Sequence, residues 1–193
     1  MDNYIKSCAG YSVITYVLGV GDRHLDNLLL HNQTGCFFHC DFSFLFGKDP
    51  KKYLPMRVTE DMIWGMGGRE SDNYAKFLSL TGSAFVALRQ PENVRLLLSL
   101  VRVMEGIRLP DIAIASPSAT KAPSATTNNA PGNETLPSGM MHMADTSLGI
   151  RNRLRLDLTE DDAVAYMEDM VEASLSSKMW MAVDAIHSFG KRF

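Results

Sequence analysis

Two aspartates, one asparagine and one histidine stand close together in the first quarter of the 193-residue sequence. Asn27 follows five residues after Asp22, Asp41 follows fourteen residues after Asn27, and His24 lies between the first two. Carboxylate and amide oxygens are ligands that Mg²⁺ prefers, and a carboxylate or an imidazole can orient or deprotonate a hydroxyl group. Phosphoryl transfer needs both functions, because charge that builds on the transferred group must be neutralised. These residue types are therefore ones that phosphoryl transfer requires.

A β-hairpin is predicted between the asparagine and the second aspartate. Two short apolar runs, 28–31 and 36–40, are separated by the turn-rich residues Asn-Gln-Thr-Gly (32–35). This hairpin would place Asn27 just before one strand and Asp41 just after the other. The two proposed metal ligands are then brought together despite their separation in sequence.

The rest of the periodicity is helical. Residues 2–18 predict a helix that is apolar on nearly all sides, which indicates burial. Two amphipathic helices follow; Pro91 ends the first and Gly106 closes the second, and both stripes predict plain core packing. After Thr159, which is placed to cap a helix, apolar residues as far as Ile186 predict one continuous helix of roughly 45 Å. The apolar positions on these three helices are Tyr74, Phe77, Leu78, Thr81, Phe85 and Leu88; Val94, Leu97, Leu98, Val101 and Met104; and Val164, Met167, Val171, Leu175, Met179, Val183 and Ile186.

Residues 116–147 differ in composition from the rest. They are rich in Pro, Ser, Thr, Ala and Asn and carry few charges, which predicts a disordered insertion. The predicted organisation is one folded unit in two parts, 1–115 and 148–193, with this insertion between them. A long surface insertion costs little in closure entropy.

The motifs resemble known kinase machinery. A protein-kinase catalytic loop keeps its Asp and metal-binding Asn at the same five-residue spacing, with the Asp of Asp-Phe-Gly further on. Here the histidine follows the aspartate, and Asp-Arg-His-x-x-Asn is the order of phosphoinositide 3-kinases and their relatives. The chain closely resembles the class III phosphatidylinositol 3-kinase family over nearly its whole length apart from roughly 116–147. The segments that carry the resemblance are 6–11, 19–30, 65–68, 109–113 and 155–164.

The resemblance implies a mostly α (α+β) fold, like the carboxyl-terminal lobe of a protein kinase. In this fold a small β-hairpin carries the catalytic and metal-binding loops, with the catalytic loop at 19–27 and the activation loop at 41–62, and a long C-terminal helix ends the lobe. A kinase of this type also needs a glycine-rich loop and a lysine on a preceding strand to hold the nucleotide. Neither occurs in this sequence, so we expect the 193 residues to correspond to the carboxyl lobe alone and to have doubtful activity in isolation.

The resemblance also implies roles for the site residues. Asp22 would orient or deprotonate the inositol 3-hydroxyl, and His24 would serve as the base or stabilise the developing phosphate charge; which of them carries the proton stays open. Arg23 would brace the loop or contact a phosphate. Asn27 and Asp41 would ligate Mg²⁺ (or Mn²⁺) bound to ATP. Where the family has the glycine of Asp-Phe-Gly this sequence has Ser43, so a shifted loop with lowered activity and full inactivity are both open.

The activation loop and the C-terminus supply the expected lipid contacts. The loop reads as exposed, and its cations are few and spread out, with Asp49 offsetting one of them, which predicts a preference for phosphatidylinositol over its 4,5-bisphosphate. Apolar residues beside the basic C-terminus suit a bilayer surface, although a solvated helix end is the alternative. The candidate substrate-loop residues are Lys48, Lys51, Lys52 and Arg57, and the candidate membrane contacts are Trp180, Met181 and Phe193.

Composition limits the protein classes. A net charge of −3 gives no basic footprint for nucleic acid, and 46% hydrophobic residues are ordinary for a globular protein. Met1-Asp2-Asn3 is acidic where a secretory signal needs positive charge, and three cysteines lack a metal-binding spacing. We therefore expect a cytoplasmic protein, which the resemblance would place peripherally on endosomal or autophagic membranes.

The expected function is an ATP-dependent phosphatidylinositol 3-kinase that makes phosphatidylinositol 3-phosphate, with the regulatory subunits of a class III complex as partners. An inactive lobe that binds partners or membrane through its last helix is the main alternative. A kinase that acts on protein is the other, and the basic loop and the class III-like flanks argue against it.

Overall fold

The computed structural model describes residues 1–49, 56–106 and 138–183. This part of the chain is mostly helical and contains one two-stranded antiparallel sheet, which confirms the predicted class at that level. In chain order the elements are α1 (Asp2–Leu18), a 3₁₀ turn (Leu25–Asn27), β1 (Leu28–Leu30), β2 (Phe37–His39), α2 (Glu60–Gly65), α3 (Asp72–Leu88), α4 (Pro91–Gly106), α5 (Ser138–Arg153) and α6 (Glu160–Leu175).

Helix α1 is buried and ends directly before the candidate site, as the sequence predicts. Ile5, Val13 and Val17 are at most 1% exposed. Gly19 follows in the left-handed region (φ 60°), and its N–H caps the helix by donating to the carbonyl of Tyr16 at 3.0 Å. A non-glycine residue reaches this backbone conformation only at a cost, so Gly19 fixes the point where helix becomes loop.

The core lies where α3 packs between α1 and α6. The Tyr16 and Tyr166 hydroxyls are hydrogen-bonded at 2.8 Å, and both rings contact Phe85. Gly82 allows α3 and α6 to approach closely, because a Cβ at this position would lie 2.9 Å from a methyl group of Val164. The two predicted amphipathic helices are confirmed as α3 and α4, and Ser71 caps α3 by accepting the N–H of Tyr74.

The predicted hairpin is confirmed. Strands β1 and β2 pair in the register Leu28–His39, Leu29–Phe38 and Leu30–Phe37. One face of β2 is buried against α1, where Phe37 packs edge-on against Tyr4 and Tyr11. Helix α1 thereby supports the hairpin through the buried face of β2.

The expectation of an exposed loop as far as Met62 is wrong for residues 56–59. Met56 and Val58 are 1% and 0% exposed, and Thr59 caps α2 by accepting the N–H of Met62. The Ser174 hydroxyl on α6 accepts the N–H of Val58 at 2.8 Å, which fastens this segment to the core. The sequence of this segment does not reveal its burial. An extended segment that helices cover need not repeat its apolar residues with a helical or an alternating period.

The predicted helix from Thr159 to Ile186 is not continuous. Thr159 does cap α6, but α6 ends at Leu175, and residues 178–183 form a separate helical stretch. Ser177 restarts the helix, since its hydroxyl accepts the N–H of Trp180 at 3.4 Å. Serine side chains compete for backbone hydrogen bonds in this way, and Trp180 of the second stretch is buried in the core. Residues 184–193 lie outside the described part.

The predicted disordered insertion, 116–147, lies partly outside the described residues. Within them, 138–147 belong to α5, so the helix begins earlier than the predicted boundary of 148. These ten residues contain no proline, unlike the stretch before them, and composition averaged over the whole segment hid that difference. No helix within the described ranges is long and apolar enough to cross a bilayer.

Candidate active site

The loop after α1 holds Asp22 in an unusual backbone conformation. Asp22 has φ 52°, in the left-handed region that most non-glycine residues avoid at a cost of roughly 1 kcal/mol. Its carbonyl accepts the Nδ2 of Asn27 at 2.8 Å, and its N–H donates to Asp49 at 2.8 Å. The peptide units on both sides of Asp22 are therefore held by side chains.

Arg23 is the buried brace of the site. It is 2% exposed, and its guanidinium donates to the carbonyls of Gly21 (2.7 Å), Cys40 (2.9 Å) and Asp41. Burial lowers the pKa of Arg23, and the nearby carboxylates of Asp41 and Asp22 oppose this effect. Of the two roles that the sequence left open, bracing agrees with these contacts, because the donors are directed at backbone carbonyls.

The hairpin brings Asn27 next to the residue that precedes Asp41. The N–H of Cys40 donates to the carbonyl of Asn27 at 3.0 Å, beyond the last pair of the sheet. The Asn27 side chain is fixed through Nδ2, which leaves its Oδ1 as the atom available to a cation. The predicted juxtaposition of the two residues is present in the fold.

Asp41 is exposed, and Ser43 orients its carboxylate. The backbone N–H of Ser43 donates to Asp41 Oδ1 at 3.0 Å, and the Ser43 hydroxyl donates to the same oxygen. The hydrogen bond from the Ser43 side chain, then that from its backbone, holds the pKa of Asp41 below its ordinary value. Asp41 itself has φ 57°, whereas Ser43 is not among the left-handed residues of the described chain. Serine therefore replaces the motif glycine here without backbone strain.

His24 lies beside Asp22 with one nitrogen already engaged. Nδ1 accepts the backbone N–H of Asp26 at 3.2 Å, so the ring proton of the neutral form is on Nε2. Nε2 lies 3.7 Å from Oδ2 of Asp22, which is within ion-pair range but too long for a hydrogen bond.

The candidate lipid-contact residues of the substrate loop differ in their positions in the structure. Lys48 is half-buried in the activation loop, and Lys51 and Lys52 lie outside the described residues. Assigning Arg57 to the substrate loop is wrong: it is 4% exposed and its guanidinium stacks on the Trp180 ring at 4.6 Å.

The membrane assignment is corrected in the same way. Trp180 is 2% exposed, so this aromatic ring belongs to the core and not to a bilayer surface. The Arg57 guanidinium lies over the Trp180 ring in a cation–π contact, which offsets part of the cost of burying that cation. Met181 is 60% exposed, and Phe193 lies outside the described residues.

Two polar residues near the site were not identified from the sequence as site residues. Asp49 accepts the N–H of Asp22. The Arg153 guanidinium packs against Gly19 and Gly47, since a Cβ on either glycine would lie 2.5 Å or closer to it. The glycines at 19, 21 and 47 were the available signal in the sequence, because clustered glycines mark close approach of the backbone.

The donor set fits a cation that is shared with a phosphate. The described residues contain no cluster of three or more His, Cys, Asp or Glu side chains able to hold a metal ion. Asn27 and Asp41 instead offer one amide oxygen and one ionised carboxylate. Mg²⁺ is commonly bound by one or two such protein ligands together with substrate phosphates.

An Asp-Arg-His-x-x-Asn loop on one side of a hairpin and an aspartate on the other form the arrangement expected of a kinase-family protein. The family model for phosphatidylinositol 3- and 4-kinases matches residues 1–114. The chain belongs to the phosphatidylinositol 3- and 4-kinase family, which confirms the resemblance found in the sequence.

Curated relatives agree along almost the whole chain. A phosphatidylinositol 3-kinase (nodule isoform) of Glycine max is 37% identical over 99% of this chain and 20% of its own length. Phosphatidylinositol 3-kinase VPS34 of Saccharomyces cerevisiae is 36% identical over 99% of this chain and 18% of its own. The phosphatidylinositol 3-kinase catalytic subunit type 3 of Caenorhabditis elegans is 39% identical over 98% of this chain and 18% of its own length. The chain thus spans about a fifth of the length of these relatives.

Proposed function

We propose that this chain forms the catalytic and activation loops of an ATP-dependent phosphatidylinositol 3-kinase. The observation that carries the proposal is the hairpin, which brings Asn27 and Asp41 together beside Asp22. Support also comes from relatives named as phosphatidylinositol 3-kinases. Residues of the longer relatives outside the matched fifth would supply the rest of the nucleotide cleft.

In this proposal Asp22 receives or orients the proton of the attacking 3-hydroxyl. The tautomer of His24 supports that division of labour, because its Nδ1 is occupied and its Nε2 carries the ring proton. An Nε2–H donates a hydrogen bond and does not accept a proton. His24 would therefore stabilise charge on the transferred phosphoryl group, and Asp22 would act on the hydroxyl.

Asn27 and Asp41 would hold Mg²⁺ or Mn²⁺ together with the phosphates of ATP. When bound, the cation neutralises charge on the phosphates during transfer. Asp41 is suited to this task because Ser43 keeps its carboxylate ionised and oriented through one oxygen. Both Ser43 donors bond Oδ1, so the second oxygen, Oδ2, would be the ligand atom.

The proposed substrate is phosphatidylinositol presented by endosomal or autophagic membranes. A headgroup with one diester charge needs few cations, and with Arg57 in the core the described loop offers fewer than the sequence suggested. A peripheral position on the cytoplasmic side of the membrane and regulatory subunits of a class III complex complete the proposal. Met181 and Phe193 stay candidate membrane contacts within it.

A chimera tests the function. This chain would replace the matched carboxyl-terminal region of Saccharomyces cerevisiae VPS34, and phosphatidylinositol 3-phosphate formation on vesicles would be measured. We expect activity that Asp41→Ala or Asn27→Ala lowers by at least about a hundredfold, since each removes a ligand of the cation. Asp169→Ala, an exposed change on α6, is the matched control and should keep full activity.

Two results would contradict the proposal. An inactive chimera that is folded and binds vesicles would favour a partner- or membrane-binding role. Near-normal turnover by the Asp41→Ala chimera would mean that the cation ligands are misassigned.

A further inference from the structure

The activation loop pairs with the segment that leads into the catalytic loop. Residues 44–47 run beside residues 18–21, and three backbone hydrogen bonds of 2.8 Å join them. These bonds are from Phe46 N–H to Leu18 carbonyl, from Gly47 N–H to Gly19 carbonyl, and from Gly21 N–H to Phe44 carbonyl. The two loops are therefore one hydrogen-bonded unit up to the residue before Asp22.

Asp49 extends this pairing to the catalytic residue itself. Its Oδ2 accepts the backbone N–H of Asp22 at 2.8 Å. Asp49 approaches so closely that the residue before Asp22 must be a glycine, because a Cβ on Gly21 would lie 2.5 Å from the Asp49 side chain. A contact this tight fixes where the backbone of Asp22 can lie.

The hydrogen bond acts on a residue whose conformation needs support. Asp22 is in the left-handed region, and a strained backbone persists only where its surroundings impose it. Asn27 holds the carbonyl of Asp22, and Asp49 holds its N–H. A hydrogen bond to a carboxylate is stronger than one to a neutral acceptor, so the contribution of Asp49 is substantial.

We propose that Asp49 is a positioning residue for the reaction, which ties the activation loop to the backbone of Asp22. The inference rests on the proposed function for its catalytic consequence, although the hydrogen bond itself does not. The loop that would face the lipid headgroup and the residue that would act on the hydroxyl then move as one body. Displacement of the loop carries Asp22 out of its reactive position, and a docked loop holds it there.

Amide exchange in the full 193-residue chain tests the hydrogen bond without any activity. In Asp49→Ala the Asp22 amide, followed by NMR, should exchange about tenfold faster or more. Asp49→Asn keeps an acceptor oxygen and should stay closer to the unaltered chain. Asp169→Ala serves as the control and should leave the Asp22 amide unchanged. The inference is overturned if the Asp22 amide exchanges equally fast in Asp49→Ala and the unaltered chain. It is also overturned if that amide exchanges as fast in a folded Asp49→Asn variant as in Asp49→Ala.

The chimera tests the catalytic consequence. Asp49→Ala should lower kcat by about tenfold or more while KM for ATP changes less than about twofold, because the Asp49 hydrogen bond is made to the backbone N–H of Asp22 and not to a proposed cation ligand. Asp49→Asn should recover most of kcat, which distinguishes an acceptor from a general effect of charge. If the unaltered chimera is inactive, the proposed function fails. If it is active and Asp49→Ala has normal kcat, the role of Asp49 fails.

Discussion

Removal of the Ser174 hydroxyl should detach the end of the activation segment from the core. This hydroxyl accepts the N–H of Val58 at 2.8 Å, and the carbonyls of Met56 and Val58 lie 3.2 and 3.0 Å from it. Val58 is 0% exposed, so water cannot replace the lost acceptor in the folded state. Ser174→Ala therefore leaves a buried N–H and a buried carbonyl without partners.

The magnitude follows from those two groups. Each buried backbone group left without a partner costs about 1–3 kcal/mol, less when the segment can shift toward water. We expect Ser174→Ala to lower the free energy of unfolding by about 2 kcal/mol, or Tm by roughly 4–8 °C for a chain of this size. Urea unfolding followed by circular dichroism gives the first quantity and a thermal scan the second.

Ser176→Ala is the matched control. Its hydroxyl donates to the carbonyl of Glu172 in the helix that it follows and is exposed, so its loss should change stability by under about 0.5 kcal/mol. A loss for Ser174→Ala no larger than that of the control would refute the reasoning, since it would mean that Val58 finds another acceptor. Faster amide exchange confined to 56–59 is the expected local signature.

Three further variants or treatments test the packing and the ionised groups. Gly82→Ala should lower the free energy of unfolding by about 1–3 kcal/mol, because a Cβ would lie 2.9 Å from a methyl group of α6. Gly10→Ala, where a Cβ would meet nothing within 4 Å, should leave that free energy unchanged or raise it by up to about 1 kcal/mol. Urea unfolding that ranks the two variants equally would contradict this. The hydrogen bond from Tyr74 holds the pKa of Glu172 below its ordinary value, so its stabilisation is present above about pH 4.5 and is lost as pH falls through the folded pKa. Glu172→Gln should thus flatten the acid loss of stability by under about 1 kcal/mol, since the carboxyl is half exposed; an unchanged pH profile would count against it. Burial raises the pKa of Cys8 to about 12, so iodoacetamide at pH 8 should label the two half-buried cysteines first, as peptide mass spectrometry can check, and early labelling of Cys8 would refute its burial.

Local signals in the sequence were sufficient for the elements around the site. Helix α1 and the hairpin were predicted within a residue or so, because an all-round apolar helix, a glycine stop and a turn-rich tetrapeptide are short-range features. The proximity of Asn27 and Asp41 followed from the hairpin alone. Thr159 and the start of α6 were equally local.

Residues whose environment is set by distant partners could not be assigned in this way. Arg57 looked like a loop cation and Trp180 like an interfacial aromatic, yet they stack on each other in the core although 123 positions separate them. The end of α6 at Leu175 was missed as well, because the apolar period of the sequence continues past it. Periodicity describes one element at a time and contains no information on such pairs.

The sequence by itself determined the make-up of the candidate site: the residue types at 22, 24, 27 and 41, their order, and the hairpin that joins them. Only the tertiary structure decided how those residues are held. The buried Arg23 donates hydrogen bonds to three backbone carbonyls, and Asp49 accepts the N–H of Asp22, which is 27 positions away in sequence. The physical reason is that spacing along a chain fixes local geometry, whereas the orientation of a side chain depends on hydrogen bonds from segments that folding brings together.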